Sequence, residues 1–205
     1  VSWQLISGNL PQNLWVSRVV ASSHKKERVY STLNGYRNDV FESYAYVSED
    51  FGTTWTSISN GLTEAVNVIV EDSANENILY VGTDNGLFIS IDKGANWQDF
   101  SNGMPKVAIH DAVIQTKAKE LIVGTHGRSV YKMDISKVQE LTKDVLAKKL
   151  HLFKVNDRTK SDRWGTQNYA WGKPSEPSQT IWFYSNADGI VNVSITNEAG
   201  MLVHA

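Results

Sequence analysis

The sequence contains no cysteine, which excludes disulfide bonds and thiolate metal sites and leaves the redox compartment undecided. It has no apolar run approaching the ~20 residues that cross a bilayer. It also lacks a basic block, and its net charge is −2, so a broad positive surface for nucleic acid or anionic membranes is not expected. What remains is ordinary globular material of 205 residues, enough for one large or two small domains.

Within this material the pattern Ser-x-Asp-x-Gly-x-x-Trp occurs twice, and we refer to each copy as a box. The second copy lies 42 residues after the first. A repeat of this period, with strand-like sequence on both sides, is typical of a β-propeller or a solenoid. The residues that define the two boxes are Ser48, Asp50, Gly52, Trp55, Ser90, Asp92, Gly94 and Trp97.

Three units share a common order of predicted strands around the boxes. Each contains a β-branched inner run, typical of a strand buried on both faces, and then two further strands and a short outer strand. Such a four-stranded antiparallel meander is a propeller blade. In the third unit Asp134 lies 42 residues after Asp92, but the rest of the box is lost. The inner runs are 16–21, 66–70 and 107–114.

The sequence after residue 135 leaves the repeat. Ser136 and Gln139 have the spacing of a capping box, and apolar residues at helical spacing predict one helix over about 137–149. A strand over 150–155 and a connector over 157–179 follow, in which Trp164 and Trp171 are expected to pack on a domain face. The remainder predicts a β-meander that starts a small sandwich.

The predicted fold is therefore all-β: a partial β-propeller of about three four-stranded antiparallel blades, followed by one helix and an incomplete β-sandwich. The predicted boundaries are 1–135 for the blades, 136–156 for the helix and linking strand, 157–179 for the connector and 180–205 for the start of the sandwich. Both ends of the sequence fall within strand-like patterns, so a fragment of a longer chain is expected.

The chemistry of the boxes predicts a structural role. Asp50 and Asp92 can accept backbone N–H bonds within a tight turn, while Gly52 and Gly94 permit positive φ there. The box tryptophans are expected to pack between sheets. One carboxylate per turn is a poor match for the six to eight oxygens that calcium takes, so no metal site is predicted. No cofactor is predicted either.

The first unit is ten residues longer than the 42-residue period, and the extra residues fall around 34–41. A long insertion on a loop often carries function. Arg37 in this insertion could bind a ligand or brace a neighbouring loop. The insertion as a whole could line a binding face, or it could pack on its neighbour through Tyr36 and Phe41.

Four further residues are candidate ligand contacts. Arg18 and His110 occupy comparable places on inner strands, where the second unit has Val68; they could face the central channel or be hydrogen-bonded at a strand end. Asp111 should point away from the face of His110 because adjacent strand residues alternate. His126 and Arg128 flank Gly127 in a tight turn, where Arg128 could clamp a carboxylate or brace a neighbouring loop.

Two other polar features have simpler interpretations. Glu71 and Asp72 follow an inner strand and are expected to form a solvated turn. The segment Asn192-Val193-Ser194 fits a glycosylation sequon, which means nothing if the source is bacterial.

With the repeats laid out, the chain resembles the BNR/Asp-box propellers of the sortilin type, and more closely the large bacterial proteins named as glycosyl hydrolases or sortilin-like proteins. The residues that carry the resemblance are the two boxes, 34–37, 80–83 and 124–128. The resemblance implies a secreted, periplasmic or cell-surface chain, hence an extracytoplasmic one. The C-terminal meander is similar to the small sandwich that follows the propeller in those chains.

The function expected from these features is a non-catalytic binding or scaffold propeller that holds a glycan, a peptide or a protein. The alternative is a glycoside hydrolase whose remaining catalytic residues lie in blades upstream of residue 1; a structural adhesion or secretion-associated module is a third possibility. About three blades are fewer than a closed ring needs. We therefore expect the remainder of the chain or a second copy to complete it, with the predicted strand 3–6 adding to another sheet edge.

Overall fold

The computed structural model describes residues 2–167 and 169–204. It divides into two compact units, 1–141 and 142–205. The first unit contains three antiparallel sheets and the second contains two short ones.

Three consecutive sheets, which we call blades A, B and C, make up the first unit. Blades A and B each have four strands in sequential order, and blade C has three. Blade A consists of β1 Trp15–Ala21, β2 Val29–Gly35, β3 Val40–Ser48 and β4 Thr56–Ser57, with a 3-10 turn at Tyr36–Asn38. Blade B consists of β5 Val66–Glu71, β6 Leu79–Thr83, β7 Gly86–Ser90 and β8 Gln98–Asp99. Blade C consists of β9 Ile109–Gln115, β10 Glu120–Thr125 and β11 Val130–Asp134.

The apolar core lies between neighbouring blades. One buried cluster joins blade A to blade B, where Tyr30 and Ala45 meet Val66 and Val81. A second joins blade B to blade C through residues such as Val68 and Ile109. Of the three inner strands, only β5 is buried along nearly its whole length, whereas β1 and β9 have many exposed residues. The expectation of inner strands buried on both faces is therefore wrong for the two outer blades, because only blade B is covered on both sides.

Two predicted strands of the first unit are absent among the described residues. The segment 3–6 forms no strand, and its Trp3 is 98% exposed. In blade C, β11 ends at Asp134, which pairs with Glu120 instead of lying in a turn. Since the box is lost there, β11 stays paired as far as Asp134, a short helix begins at Ser136, and no outer strand follows among the described residues.

The single helix predicted over 137–149 is wrong, because two short helices occur instead. The first, α1, spans Ser136–Gln139, and Ser136 does not cap it. Its expected capping partner Gln139 donates instead to the buried carboxylate of Asp72, at 3.1 Å from Nε2 to Oδ2. The second, α2, spans Lys143–Leu146 and is capped by Thr142, whose side chain accepts from the Val145 N–H.

The second unit contains α2 and two two-stranded sheets. β12 (Leu150–Leu152) pairs with β13 (Phe183–Ser185), and β14 (Ile195–Thr196) pairs with β15 (Leu202–His204). β13 therefore joins an upstream strand and not the predicted meander. Trp171 is 86% exposed and stacks on Tyr169, so the expectation that it packs on a domain face is wrong. An open apolar pocket between the sheets has no charged residue in its lining.

Candidate functional site

The antiparallel blades of the first unit present two different edges. Consecutive turns of a meander alternate between the two ends of a sheet. The turns between the first and second strands, and the boxes between the third and fourth, therefore share one end, which we call the box edge. The turns between the second and third strands share the other end with the starts of the inner strands, and we call this end the bulge edge.

Each box is a turn tied by its own side chains. Asp92 Oδ1 accepts from the Ser90 hydroxyl at 2.8 Å and from the Asn96 N–H at 2.9 Å, while Ser90 Oγ accepts from the Gly94 N–H at 2.7 Å. Although partial burial raises the pKa of Asp92, these bonds outweigh it and hold the pKa below its ordinary value. Asp50 repeats the pattern with Ser48 and Thr54. The carboxylates thus fix turns.

The box tryptophans reach across to the preceding segment. Trp97 Nε1 donates to the Ile58 carbonyl oxygen at 2.7 Å, and Trp55 Nε1 donates to the Ile6 carbonyl oxygen at 2.8 Å. Gly94 lies so close to Ile58 that an added Cβ would be 2.9 Å from the Ile58 Cβ. Ile6 therefore contacts the box of blade A in the same way that Ile58, which follows β4 of blade A, contacts the box of blade B.

A buried charge network joins blades A and B near the box edge. The Arg28 side chain is 1% exposed and the Glu71 side chain 2%, and Arg28 Nη1 lies 3.2 Å from Glu71 Oε1. Arg28 also pairs with Glu49 at 2.7 Å and with Glu76 at 3.1 Å. Tyr30 adds a hydrogen bond from its hydroxyl to Glu71 Oε1 at 2.9 Å.

The expectation of a solvated turn at Glu71 and Asp72 is therefore wrong. Glu71 is 7% exposed and Asp72 is fully buried. Burial alone would raise the pKa of Glu71, but hydrogen bonds from Ser22, Tyr30, Ser23 and Arg28 outweigh it and lower the pKa. No sequence signal singles out Arg28, since it ends the charged run 25–28 that reads as a solvated turn.

A β-bulge occurs at the start of every inner strand. The register shifts between Val16 and Arg18 in β1, between Val66 and Val68 in β5, and opposite the Gly124–Thr125 step in β9. The extra residues are Ser17, Asn67 and His110. Such bulges re-aim a side chain and are common beside functional sites. The predicted equivalence of Arg18 with His110 is consequently wrong by one residue, because Arg18 corresponds to Asp111.

In blades A and B the bulge side chains hold the blades together. Ser17 Oγ donates to the Val66 carbonyl oxygen of blade B at 3.1 Å. Asn67 Oδ1 accepts from the Asn34 side chain of blade A at 2.9 Å, and Asn67 Nδ2 donates to Asp84 Oδ1 at 2.7 Å. Structural bonding therefore accounts for both residues.

His110 is different from its two counterparts. It is exposed, and among the described residues its side chain makes no hydrogen bond; its ring instead lies 5.1 Å from the ring of His126, centroid to centroid. The backbone fixes this pair, since Thr125 is the ladder partner of Ile109 and the His126 N–H donates to the Ala108 carbonyl oxygen at 2.8 Å. The fold thus brings together two candidates that are 16 positions apart in the sequence.

Arg18 and Asp111 form an ion pair between blades A and C. Arg18 Nη2 lies 2.5 Å from Asp111 Oδ1, and the two side chains are 35% and 67% exposed. β1 and β9 both pack against β5, so this pair crosses the inner strand of blade B. Asp111 is therefore engaged by Arg18 and does not orient His110.

Arg37 braces its own blade. Its guanidinium carbon lies 3.9 Å from the centroid of the Trp15 ring, and its Nε donates to the Tyr36 hydroxyl at 2.9 Å. The insertion lengthens β2 and β3 and ends in a 3-10 turn, so it is not the long loop that was expected. Trp15, Tyr36 and Phe41 are each about half exposed, which leaves aromatic surface open at this edge.

Arg128 lies in the turn of blade C that carries His126. Thr125 Oγ1 donates to the Ser129 carbonyl oxygen at 2.6 Å and closes the turn. Arg128 is exposed, and in residues 2–167 and 169–204 it forms no ion pair or hydrogen bond. The bracing contact proposed for Arg128 is therefore not found among the described residues, and the carboxylate clamp stays a prediction.

One of the similar solved structures supports the fold. The GH74 enzyme of Niastella koreensis matches with a TM-score of 0.50 and 17% identity over 58% of this chain and 20% of that enzyme. A GH74 xyloglucanase from Xanthomonas campestris gives a TM-score of 0.45 and 14% identity over 58% of this chain and 21% of that one. At such identities the first similarity shows the fold alone. This chain spans about one fifth of the length of that enzyme.

Sequence comparison assigns the family. No curated protein sequence matches the chain. The family model described as "Sortilin, neurotensin receptor 3" matches residues 43–194, which is well over half of the chain and includes both boxes. Blades of four antiparallel strands, boxes between their third and fourth strands and this match agree with one another, so the chain belongs to the sortilin family (Sortilin-Vps10) of Asp-box β-propellers.

Proposed function

We propose that this chain is a non-catalytic binding part of an extracytoplasmic propeller, and that its ligand, a glycan, a peptide or a protein, docks at the bulge edge. The observation that carries the proposal is the contrast among the three bulge residues. Ser17 and Asn67 are engaged in contacts between blades, whereas His110 is exposed at the equivalent position. A polar side chain without a structural bond, on a rigid strand, is well placed to contact a ligand.

Further groups at the same edge extend this surface. Arg128 is exposed and unpaired among the described residues, and His126 lies beside His110. Trp15 and Tyr36 add half-exposed aromatic rings around Arg37. Aromatic faces with a few oriented polar groups suit glycans and peptides alike. Membership of the sortilin family supports an extracytoplasmic location. Among the described residues, no helix has the length and apolar character that a membrane span requires.

Binding should be tested on a glycan array and a displayed peptide library in the presence of a chelator. Arg128→Ala is expected to weaken binding of the best hit by at least about tenfold, as loss of a charge-assisted contact does. Lys117→Ala is the matched control, because Lys117 is an exposed cation in the opposite turn of the same blade. Equal binding by both variants, or no specific hit in either screen, would count against the proposal.

The second candidate function is glycoside hydrolysis. It is favoured by two carboxylates at the bulge edge, those of Asp84 and Asp111. Glycosidases need two carboxyl groups about 5–10 Å apart, of which one is protonated and acts as the acid and the other is ionised and acts as the base or nucleophile. Both carboxylates are held by partners, Asp84 by Asn67 and Asp111 by Arg18, which favours the binding role. Glycoside turnover that Asp84→Asn and Asp111→Asn each abolish would reverse this preference.

A further inference from the structure

His110 and His126 lie next to each other in blade C, and among the described residues neither side chain makes a hydrogen bond that holds blades together. Each ring is exposed, and the planes are inclined at 50° with centroids 5.1 Å apart. A first-row metal lies about 2.0–2.1 Å from an imidazole nitrogen, hence roughly 3.2 Å from the ring centroid. Two imidazoles in adjacent positions on one ion therefore have centroids roughly 4.5 Å apart in square-planar geometry and roughly 5 Å apart in tetrahedral geometry. The observed centroid separation of 5.1 Å is compatible with two histidines that share one ion.

We propose that His110 and His126 form a two-histidine site for a divalent transition metal of the copper, nickel or zinc type. Imidazole nitrogen suits these ions, whereas calcium and magnesium prefer oxygen ligands. Among the described residues no group of three or more histidine, cysteine, aspartate or glutamate side chains could hold a metal. The site would therefore supply two protein ligands and leave the remaining positions open to water or to a donor group of a bound molecule.

The backbone preorganises this pair. Thr125 and Ile109 are ladder partners, and the His126 N–H donates to the Ala108 carbonyl oxygen at 2.8 Å. The bulge places His110 outside the regular alternation of β9. Preorganised ligands on strand ends lose less freedom on binding than ligands on a mobile loop.

Neighbouring charges leave the pair available. Asp111, the nearest carboxylate in sequence, is bound to Arg18 at 2.5 Å, so it neither anchors a histidine nor competes for the ion. Arg128, two residues after His126, carries a positive charge in the same turn. The positive charge of Arg128 opposes the binding of a metal cation, so the ion must gain strongly from nitrogen ligands. Among divalent first-row metals Cu²⁺ gains most, so copper should bind most tightly.

The test is calorimetric titration of the whole chain with Cu²⁺, Zn²⁺ and Ca²⁺ separately, with no other ligand present. One Cu²⁺ per chain should bind more tightly than Zn²⁺, Ca²⁺ should not bind, and His110→Ala and His126→Ala should each lower Cu²⁺ affinity at least about tenfold. His151→Ala, in the second unit, should change nothing. The electron paramagnetic resonance spectrum of bound Cu²⁺ should show two nitrogen ligands from the wild type and one from either variant.

Unchanged affinity in both variants, or no Cu²⁺ binding by the wild type, would overturn the site. Both side chains are exposed, so circular dichroism spectra that match the wild type will show that lost affinity is not lost folding. Because the metal is titrated alone and the glycan and peptide screens contain a chelator, failure of this site is distinguishable from failure of the proposed binding function.

Discussion

Arg28 of blade A and Glu71 of blade B form an ion pair of 3.2 Å between two side chains that are almost completely buried. Each has further partners, so the pair is the centre of a network and not an isolated contact. A buried pair is not by itself evidence of stability, because desolvation offsets much of the attraction. Its strict geometry instead ties blade B to blade A in one register, and removal of one partner leaves an uncompensated buried charge.

The lowered pKa of Glu71 makes this joint sensitive to acid. A carboxyl group whose pKa is lower in the folded than in the unfolded chain contributes stability above its unfolded value, and that contribution is lost as pH falls through the folded value. The free energy of unfolding should therefore fall as pH drops from about 4.5, the ordinary value. Glu71→Gln should cost about 3 kcal/mol at pH 7 and flatten this dependence. Urea denaturation from pH 7 to 3 measures both effects, and Glu176→Gln, at an exposed position, serves as control.

Close approach at the box should make Gly94 less replaceable than Gly61. Both glycines have positive φ, +87° and +84°, but an added Cβ meets Ile58 at Gly94 and nothing within 4 Å at Gly61. Gly61→Ala should therefore cost only the left-handed penalty of about 1–2 kcal/mol. Gly94→Ala should cost about 1–3 kcal/mol more, since the Ile58 side chain must shift. Equal urea midpoints for the two variants would show that the contact with Ile58 is not tight.

The sequence predicts the blades because the boxes recur with the period of the strands. The box residues show where each turn lies, and the Ser-Asp-Gly-Trp spacing has a physical reason at every position. The prediction of four strands is wrong for blade C, because its box is lost and β11 stays paired with β10 as far as Asp134.

The candidate site was harder to predict. A bulge inserts one unpaired residue, and a count of alternating positions does not detect it. The sequence pattern therefore aligns His110 with Arg18, whereas the structural counterpart of His110 is Ser17. The proximity of His110 to His126 depends on pairing between β9 and β10. In the same way, the contact between Arg28 and Glu71 arises from the packing of two blades, and no local pattern encodes it.

The Arg18–Asp111 pair should contribute little to stability despite its 2.5 Å separation. Both side chains are about one-third exposed or more, so water and salt screen the attraction. A double-mutant cycle with Arg18→Gln and Asp111→Asn should give a coupling energy below about 1 kcal/mol at low salt, and a smaller value at 0.5 M salt. A large coupling that does not respond to salt would indicate that the pair is shielded from solvent.

The three bulge positions provide the sharpest comparison, because the same backbone irregularity carries Asn67 in blade B and His110 in blade C. Asn67→Ala would leave the Asn34 amide and the Asp84 carboxylate without their partner, which should cost about 1–3 kcal/mol. His110→Ala removes an exposed ring with no hydrogen bond among the described residues, so it should stay within about 0.5 kcal/mol of the wild type. Thermal and urea denaturation of the two variants side by side measure this contrast. If His110→Ala were as destabilising as Asn67→Ala, His110 would be a structural residue like its counterparts, and the bulge of blade C would give no reason to place a ligand there.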